Sequence, residues 1–355
     1  MKETLAIIIA LFLLAAGPVF AQVAIENPEK PQAKDAGRVL ALAEVWRITD
    51  KSGQFYFKSP RDLKIADDGS IFLRDFDQFL KFAPDGLFLK NLYKKGQGPG
   101  EMRDSAFHYD LRGQDLYIQD RNARRFWRAD LEGRFQESID IAAIVDPELV
   151  SVLPEGPLFL TFKWPGRDEF TGKAGAVPHT LVLAGRSGRT TRDLLEFTRS
   201  FLFAPNHVLF DKLILTPSPD RKVLYIFNGW NYRIDVIDSI SGRIAKRITR
   251  VYPKSRLTLT EEQEKRRQEM GMPRYEFMPD ISNLFTTADG IWVETSTEDK
   301  AKGRLIDVFD KDGRFVDSFY LGAGRMLMAV QEGAVFCQEK NKDETITIVK
   351  FRILR

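Results

Sequence analysis

The hydrophobic and polar positions of this chain follow one pattern that repeats six times after residue 40: a short apolar run, a tight Gly or Asp turn, and a second apolar run. Three spacings are nearly equal, because Gly69 and Gly113 are 44 residues apart, Gly113 and Gly156 are 43 apart, and so are Gly290 and Gly333. A period of this length is typical of one four-stranded propeller blade. The six turns lie at Asp68-Gly69, Gly113, Glu155-Gly156, Asp220, Asp289-Gly290 and Glu332-Gly333.

The first unit shows the pattern most clearly. Apolar runs at residues 62–65, 70–73, 79–82 and 87–89 are separated by turns that contain Gly69 and Gly86. Glycine supplies the positive φ that tight hairpin turns require. The unit is therefore predicted as four antiparallel strands.

The last unit is incomplete, and this bears on the architecture. It contains only three strands of its own, near Met326, Val335 and Ile346. The alternating residues 44–48, around Trp46, can supply the fourth strand and so close the ring without an open sheet edge. We therefore predict an all-β, six-bladed β-propeller closed by an N-terminal strand. Five or seven blades remain as alternatives if the third unit, with its insertion at residues 164–178, is divided differently.

One segment, residues 260–271, breaks the β pattern. Thr260 and Gln263 form a capping box, charged pairs follow at helical spacing, and Gly271 can end a helix. This predicts a short helical insertion between blades four and five. It is either a solvated decoration or a lid over one face.

The N-terminus has the pattern of an export signal. A lysine precedes an apolar stretch that ends before Gly17-Pro18, and Val19-Phe20-Ala21 fits a cleavage site. The stretch is shorter than the ~20 residues of a membrane span. We predict a signal peptide at residues 1–21, a mobile linker at 22–38 and the propeller domain at 39–355. The expected location is periplasmic or secreted, with no membrane span after signal removal.

The charge balance and the single cysteine limit the chemistry of this chain. The 53 basic and 50 acidic residues are scattered and give a net charge of +3, so no basic face for nucleic acid is expected. Cys337 is the only cysteine and lies in an apolar run, which rules out an intramolecular disulfide and favours a buried side chain over a reactive thiol.

The segment Lys95-Gly96-Gln97-Gly98-Pro99-Gly100-Glu101, the Asp-Gly turns and the phrase at residues 289–293 resemble the bacterial six-bladed β-propeller family related to NHL-repeat proteins. The resemblance runs from about Val39 to the C-terminus. It implies an exported propeller and carries over no catalytic residues. The glycine-rich segment also has a superficial likeness to a phosphate-binding loop. No helix pattern follows Glu101, so a turn between blades is predicted instead.

Candidate binding residues follow from the topology of a propeller. Loops between blades, and turns between the second and third strands of each blade, gather on one face around the central channel, where binding residues belong. Mixed charges, amides and two tryptophans there suit a polar ligand such as a glycan or peptide. The alternative is that Asp and Asn occupy these turns because they bond their own backbone. The candidates are Arg61, Asp120, Arg121, Asn122, Trp164, Asn228, Trp230, Asn231, Asn283 and Arg325.

Evidence for catalysis is weaker. His108, His179 and His207 show no metal-binding spacing, and no Gly-x-Ser-x-Gly elbow is present, although a spatial Ser-His-Asp set would leave no such signature. We therefore expect a non-catalytic protein without a cofactor that binds a polar small molecule, a glycan or an envelope protein on its loop face.

The alternative is a calcium-dependent lactonase or hydrolase of six-bladed propeller type. Calcium takes six to eight hard oxygen ligands. Some could come from Asn122, Asn228, Asn283, Asp75 and Asp120. Arg61 and Arg325 at the channel would oppose a metal.

Overall fold

Six β-sheets form the protein, one for each predicted repeat. The structure is a computed structural model that describes residues 23–50, 53–163, 174–188, 191–204, 207–270, 273–341 and 343–354. Three strands precede the first blade: β1 (Val23–Asn27), β2 (Arg38–Val39) and β3 (Leu42–Ile48). The predicted signal peptide, residues 1–21, lies outside the described residues.

The strands of the first three blades follow in chain order. Blade 1 contains β4 (Pro60–Ile65), β5 (Ile71–Asp75), β6 (Gln78–Phe82) and β7 (Phe88–Asn91). Blade 2 contains β8 (Phe107–Arg112), β9 (Asp115–Asp120), β10 (Arg125–Asp130) and β11 (Phe135–Ile139). Blade 3 contains β12 (Glu148–Val152), β13 (Pro157–Phe162), β14 (Ala174–Ala184), β15 (Thr191–Ala204) and β16 (His207–Phe210).

The other three blades complete the ring. Blade 4 contains β17 (Leu213–Pro217), β18 (Val223–Asn228), β19 (Arg233–Asp238) and β20 (Ile244–Arg250). Blade 5 contains β21 (Ile281–Thr287), β22 (Gly290–Asp299), β23 (Gly303–Asp310) and β24 (Phe315–Tyr320). Blade 6 contains β25 (Arg325–Gln331), β26 (Ala334–Lys340), β27 (Ile346–Ile353) and β3. The first strands of successive blades contact one another, and β25 contacts β4, so six blades enclose one channel.

Each interface between neighbouring blades contains its own hydrophobic cluster. Phe79 of blade 1 packs with Phe107 of blade 2, and comparable clusters fill the other five interfaces. Both faces of a blade are therefore buried. This explains why middle strands such as β13, which is buried at its first four positions, are almost continuously apolar instead of alternating.

Ring closure occurs as predicted. Strand β3 pairs antiparallel with β27, with Trp46 opposite Lys350, and becomes the outer strand of blade 6. The ring therefore joins the two ends of the domain in one sheet. A closed ring of this kind leaves no long sheet edge at the junction.

The segment before β3 differs from the prediction. Strand β1 pairs parallel with β20 at the outer edge of blade 4, and β2 pairs parallel with β24 at the edge of blade 5. The interpretation of residues 22–38 as a mobile linker is therefore wrong for residues 23–27. Composition could not reveal this, because the segment is held by backbone hydrogen bonds to sheet edges and contributes few apolar side chains.

Asn27 fixes this N-terminal segment. Its buried side chain donates to the carbonyls of Thr249 and Gly313, at 3.1 and 2.9 Å, and accepts from the N–H of Phe315 at 2.8 Å. These bonds join the outer edges of blades 4 and 5.

Replacing Asn27 by alanine is expected to lower the free energy of unfolding by about 1–3 kcal/mol, because three backbone groups lose a buried partner. Chemical denaturation measures the change, and limited proteolysis should cut near residue 27 sooner than in the unmodified protein. Glu26→Ala, at an exposed position of the same strand, is the control. Equal effects of the two substitutions would contradict the assignment.

The predicted helical insertion is present between blades 4 and 5. Helix α1 (Glu261–Glu269) begins at Thr260, which forms the predicted capping box with Gln263, and none of its residues is buried. Gly271 lies outside the described residues. A short antiparallel stem at the base of the insertion, between Arg256 and Phe277, ties it to the rest of the chain.

Candidate functional site

The loop face, defined as the face that carries the inter-blade loops and the turns between second and third strands, contains nine of the ten candidates predicted from the sequence. Arg61, Asn283 and Arg325 lie near the starts of innermost strands, at the channel mouth. Asp120 and Asn228 end second strands, and the turns after them contain Arg121, Asn122, Trp230 and Asn231. Trp164 lies outside the described residues. The third strand of blade 3 already begins at Ala174, inside the segment predicted as an insertion.

Asp120 is committed to the fold. Its fully buried carboxylate accepts backbone N–H bonds from Arg103 at 2.6 Å and Ala123 at 3.1 Å. Asp75, at the same place in blade 1, accepts from Lys58 and Ser59 in the same way. Each carboxylate anchors the loop that enters its blade.

Arg121 and Asn122 are exposed and already have polar partners. Arg121 forms an ion pair with Glu148 at 3.4 Å, and the Asn122 amide donates to Asp104 at 2.6 Å. Glu148, the first residue of β12, also lies in the electrostatic neighbourhood of His108. Burial lowers the pKa of His108 while Glu148 opposes that shift, so the imidazole is neutral at pH 7.

Trp230 forms part of an aromatic pair with the helical insertion. Its ring centroid lies 4.5 Å from that of Tyr275, and its indole N–H donates to the Asp211 carboxylate at 2.9 Å. The neighbouring amides are also bonded: Asn228 donates to the Thr198 carbonyl at 3.0 Å, and Asn231 accepts from Lys254 at 2.9 Å.

The three candidates at the innermost strands differ in availability. Arg61 is exposed. The Asn283 side chain bonds the N–H of Leu284 at 2.9 Å, as an Asn in a local backbone motif does. Arg325 donates to Glu339 at 2.9 Å and lies 4.4 Å over the ring of Phe351. Of these three, Arg61 alone has no such partner among the residues that the structure describes.

Arg199 and Lys212, two cations that sequence reasoning did not select, lie near the Trp230–Tyr275 pair. Arg199 is in the part of β15 that pairs with residue 177 of β14, beyond the end of β13. Lys212 immediately precedes β17, the innermost strand of blade 4. Both are therefore on the loop face. Their sequence context carries no signal, because each is one basic residue among 53.

Neither cation has a carboxylate partner among the described residues. Arg199 donates to the backbone carbonyl of Asp211 at 2.7 Å, lies 4.8 Å over the Phe210 ring, and has a buried Nε without a hydrogen-bond partner. Burial lowers the pKa of both Arg199 and Lys212. The nearby Glu148 and Asp211 carboxylates are engaged by Arg121 and Trp230.

A buried acid lies on the far side of Lys212. Glu294 of β22 is 3 % exposed and pairs with Arg304 at 3.1 Å. Burial raises the pKa of Glu294, and the fields of Arg304 and Lys212 oppose that rise. Titratable groups perturbed by burial and by specific charges are common at functional sites.

The amides considered for calcium already have partners within the protein. Asn122, Asn228 and Asn283 belong to blades 2, 4 and 5, and each amide has one of the partners described above. Among the residues that the structure describes, no group of three or more His, Cys, Asp or Glu side chains is arranged to hold a metal ion.

His179 and the glycine-rich segment have structural roles. His179 is fully buried, with its ring centroid 4.8 Å from that of Phe162, and burial lowers its pKa. Glu101 folds back to accept from the Gly98 N–H at 2.8 Å, and Arg125 donates to the carbonyl of Gln97 at 2.8 Å. The segment is thus a turn between blades, as predicted. Cys337 is buried, and burial raises its pKa to about 12.

No protein-family model matches the chain, and neither does any curated protein. A Bacteroides fragilis protein described as exported has a similar structure, with a TM-score of 0.56, 10% identity, and coverage of 94% of this chain and 100% of that one. A member of the DUF4221 family from Bacteroides vulgatus gives a TM-score of 0.52 at 9% identity, covering 90% and 99%. At such identities the likeness shows the fold alone.

A gluconolactonase from Xanthomonas campestris gives a TM-score of 0.48 at 13% identity, covering 93% of this chain and 100% of that one. This likeness is too distant to carry an argument about activity.

Within the described residues, no helix has the length and apolar character needed to cross a membrane. The resemblance drawn from the sequence is confirmed for the fold, a six-bladed β-propeller with bacterial proteins among its structural neighbours. The relation to NHL-repeat proteins stays a prediction.

Proposed function

We propose that this protein is an exported, non-catalytic β-propeller that binds an acidic sugar on its loop face. The observation that carries the proposal is the pair Arg199 and Lys212, two partly buried cations without a carboxylate partner among the described residues. Removing a cation from water is unfavourable unless an opposite charge compensates. An anionic ligand would supply that charge.

Asp211 connects the cations with an aromatic surface. Its backbone carbonyl accepts from Arg199, and its side chain accepts from the Trp230 indole. Tyr275, which is 38% exposed, lies against the same indole. An anionic group bound at Arg199 and Lys212 would therefore lie beside amphipathic rings, which suits a ligand that combines a charge with a ring.

Titration calorimetry with D-glucuronate and D-galacturonate, with D-glucose as the uncharged control, tests the proposal. We expect both uronates to bind and glucose not to bind. Arg199→Gln and Lys212→Gln should each weaken binding by about tenfold or more, because a hydrogen bond to a charged group contributes about 1.5–3 kcal/mol. Added salt should weaken binding further.

The matched control is Arg192→Gln. Arg192 is exposed and donates to one backbone carbonyl, that of Ile240, as Arg199 donates to that of Asp211. Its replacement should leave the affinity unchanged. The proposal would be overturned if neither uronate bound, or if the Arg199→Gln and Lys212→Gln variants bound the uronates as tightly as the unmodified protein does. A calcium-dependent rise in the thermal midpoint would favour the lactonase alternative, since a bound ion stabilises the folded state.

A further inference from the structure

A cavity lies between blades 2 and 3, on the face opposite the loop face. It has a volume of about 410 Å³ and is lined mainly by polar groups, including Arg112, Arg128 and Arg186. Arg112 ends the innermost strand of blade 2, and Arg186 lies in the turn between the third and fourth strands of blade 3. This size is in the range of small-molecule sites.

Two of these arginines converge on one carbonyl oxygen, and neither forms an ion pair with a described residue. Arg112 Nη1 donates to the carbonyls of Leu153 at 3.0 Å and Pro154 at 3.4 Å, and Arg186 Nη2 donates to the same Pro154 oxygen at 3.3 Å. Because they share one acceptor, the two nitrogens lie within about 7 Å of each other. Neither guanidinium forms an ion pair with any residue that the structure describes. Both retain N–H donors that no described residue accepts.

Acidic groups share the cavity wall with these arginines. Arg128 pairs with Asp115 at 3.0 Å and with Glu137 at 2.8 Å, and Asp115 is also the cross-strand neighbour of Arg112 in the β8–β9 hairpin. The phenol of Tyr117 lines the wall, and burial raises its pKa, so it keeps its proton at neutral pH. Carboxylates and a phenol accept hydrogen bonds from hydroxyl groups.

We propose that this cavity binds a monosaccharide-sized phosphate or sulfate monoester. The oxyanion would lie between Arg112 and Arg186, whose planar forks suit phosphate and sulfate oxygens. The hydroxylated body would extend toward Asp115 and Glu137. The site is on the face opposite the loop face, so it is independent of the function proposed above.

Titration calorimetry at low ionic strength, in phosphate-free buffer, tests the assignment with glucose 6-phosphate, glucose 6-sulfate, inorganic phosphate and glucose. At least one ester is expected to bind more tightly than inorganic phosphate, and glucose is expected not to bind. Comparison of the two esters identifies the preferred oxyanion. Arg186→Gln should weaken binding of the ester by about tenfold or more.

Arg186 is exposed, so its replacement should not affect folding, which circular dichroism can verify. Arg112→Gln should have a similar effect on binding. Arg192→Gln is the control for an exposed arginine outside the cavity. Lys212→Gln tests whether this site is distinct from the one proposed on the loop face. Both variants should leave ester binding unchanged. The assignment is overturned if neither ester binds, if only inorganic phosphate binds, or if Arg186→Gln binds the ester as tightly as the unmodified protein does.

Discussion

Replacing Asp110 by alanine is expected to lower the free energy of unfolding by about 3–5 kcal/mol, the usual cost of breaking a buried ion pair by removing one partner. Asp110 is in β8, and its carboxylate receives Lys64 of blade 1 at 2.8 Å and Arg221 of blade 4 at 2.6 Å. It also accepts from the Ser151 hydroxyl at 2.9 Å and the Val152 N–H at 2.7 Å. One side chain therefore joins four blades.

The large expected effect depends on Arg221, in a turn of blade 4. Arg221 has a positive φ of 59° and reaches blade 2, where it also donates to the Leu111 carbonyl at 2.6 Å. Without Asp110, Arg221 and Lys64 would remain close together with their common counter-charge removed. Urea denaturation followed by tryptophan fluorescence measures the loss.

Asp312→Asn is the control for this prediction. Asp312 is exposed, and Lys246 and Arg314 are each 3.8 Å from its carboxylate. Exposed ion pairs contribute little, so a change of at most about 0.5 kcal/mol is expected. A loss of similar size in both variants would show that the Asp110 network does not join the blades as described.

The Asp110 contribution also has a defined pH dependence. The cations Lys64 and Arg221 hold the pKa of Asp110 well below its usual range, against the effect of burial. A carboxyl group with a lowered pKa stabilises the fold above its unfolded pKa of about 4, and this stabilisation is lost as the pH falls toward the folded value. The difference between the unmodified protein and Asp110→Ala should therefore shrink in strong acid.

The second large effect concerns Asp307 and has the opposite sign. As the pH rises from about 4 to about 7, the unmodified protein is expected to lose about 3 kcal/mol of stability relative to Asp307→Asn. Asp307 is fully buried between blades 4 and 5, where its carboxylate contacts Arg250 at 3.2 Å and the Tyr232 hydroxyl at 2.7 Å. Burial outweighs these partners and raises the pKa of Asp307 to about 6.

The sign follows from proton binding. Between about pH 4, where the unfolded carboxyl ionises, and about pH 6, where the folded one does, the folded state holds more protons. Stability from this group is complete below that window and is lost as the pH rises through it. Asparagine does not titrate, so denaturation midpoints of both proteins across the range isolate the effect. A pH-independent difference would mean that Arg250 keeps Asp307 ionised throughout.

Much of the fold could be predicted from the sequence, because strand runs and turn residues are local signals. The 43- to 44-residue spacing indicated four-stranded blades, and the shortfall of the last unit indicated closure by the strand around Trp46. The capping box of α1 was equally local. The outer strand β1 was not predictable, since its pairing with β20 uses backbone groups and the repeat of blade 4 was already complete without it.

The candidate site was predicted less completely. Topology correctly placed Trp230 and Arg61 on the loop face, because the order of strands and turns fixes which loops share a face. The same reasoning could not distinguish Asp120, whose carboxylate anchors a loop, from residues open to a ligand. Arg199 and Lys212 were not selected from the sequence. What distinguishes them is their burial and the lack of a carboxylate partner among the described residues, and both depend on the tertiary structure.

By itself, the sequence indicated six blades, with five or seven left open, and it determined the strand that closes the ring and the face on which loops gather. Each of these depends on periodicity and turn chemistry along the chain. Tertiary structure decided which charges are compensated. Asp110 meets Lys64 and Arg221 from blades 1 and 4, whereas the hydrogen bonds of Arg112 and Arg186 to described residues all go to carbonyl oxygens. Ion pairing depends on distances of a few ångströms between residues far apart in the chain, and only the closed ring sets those distances.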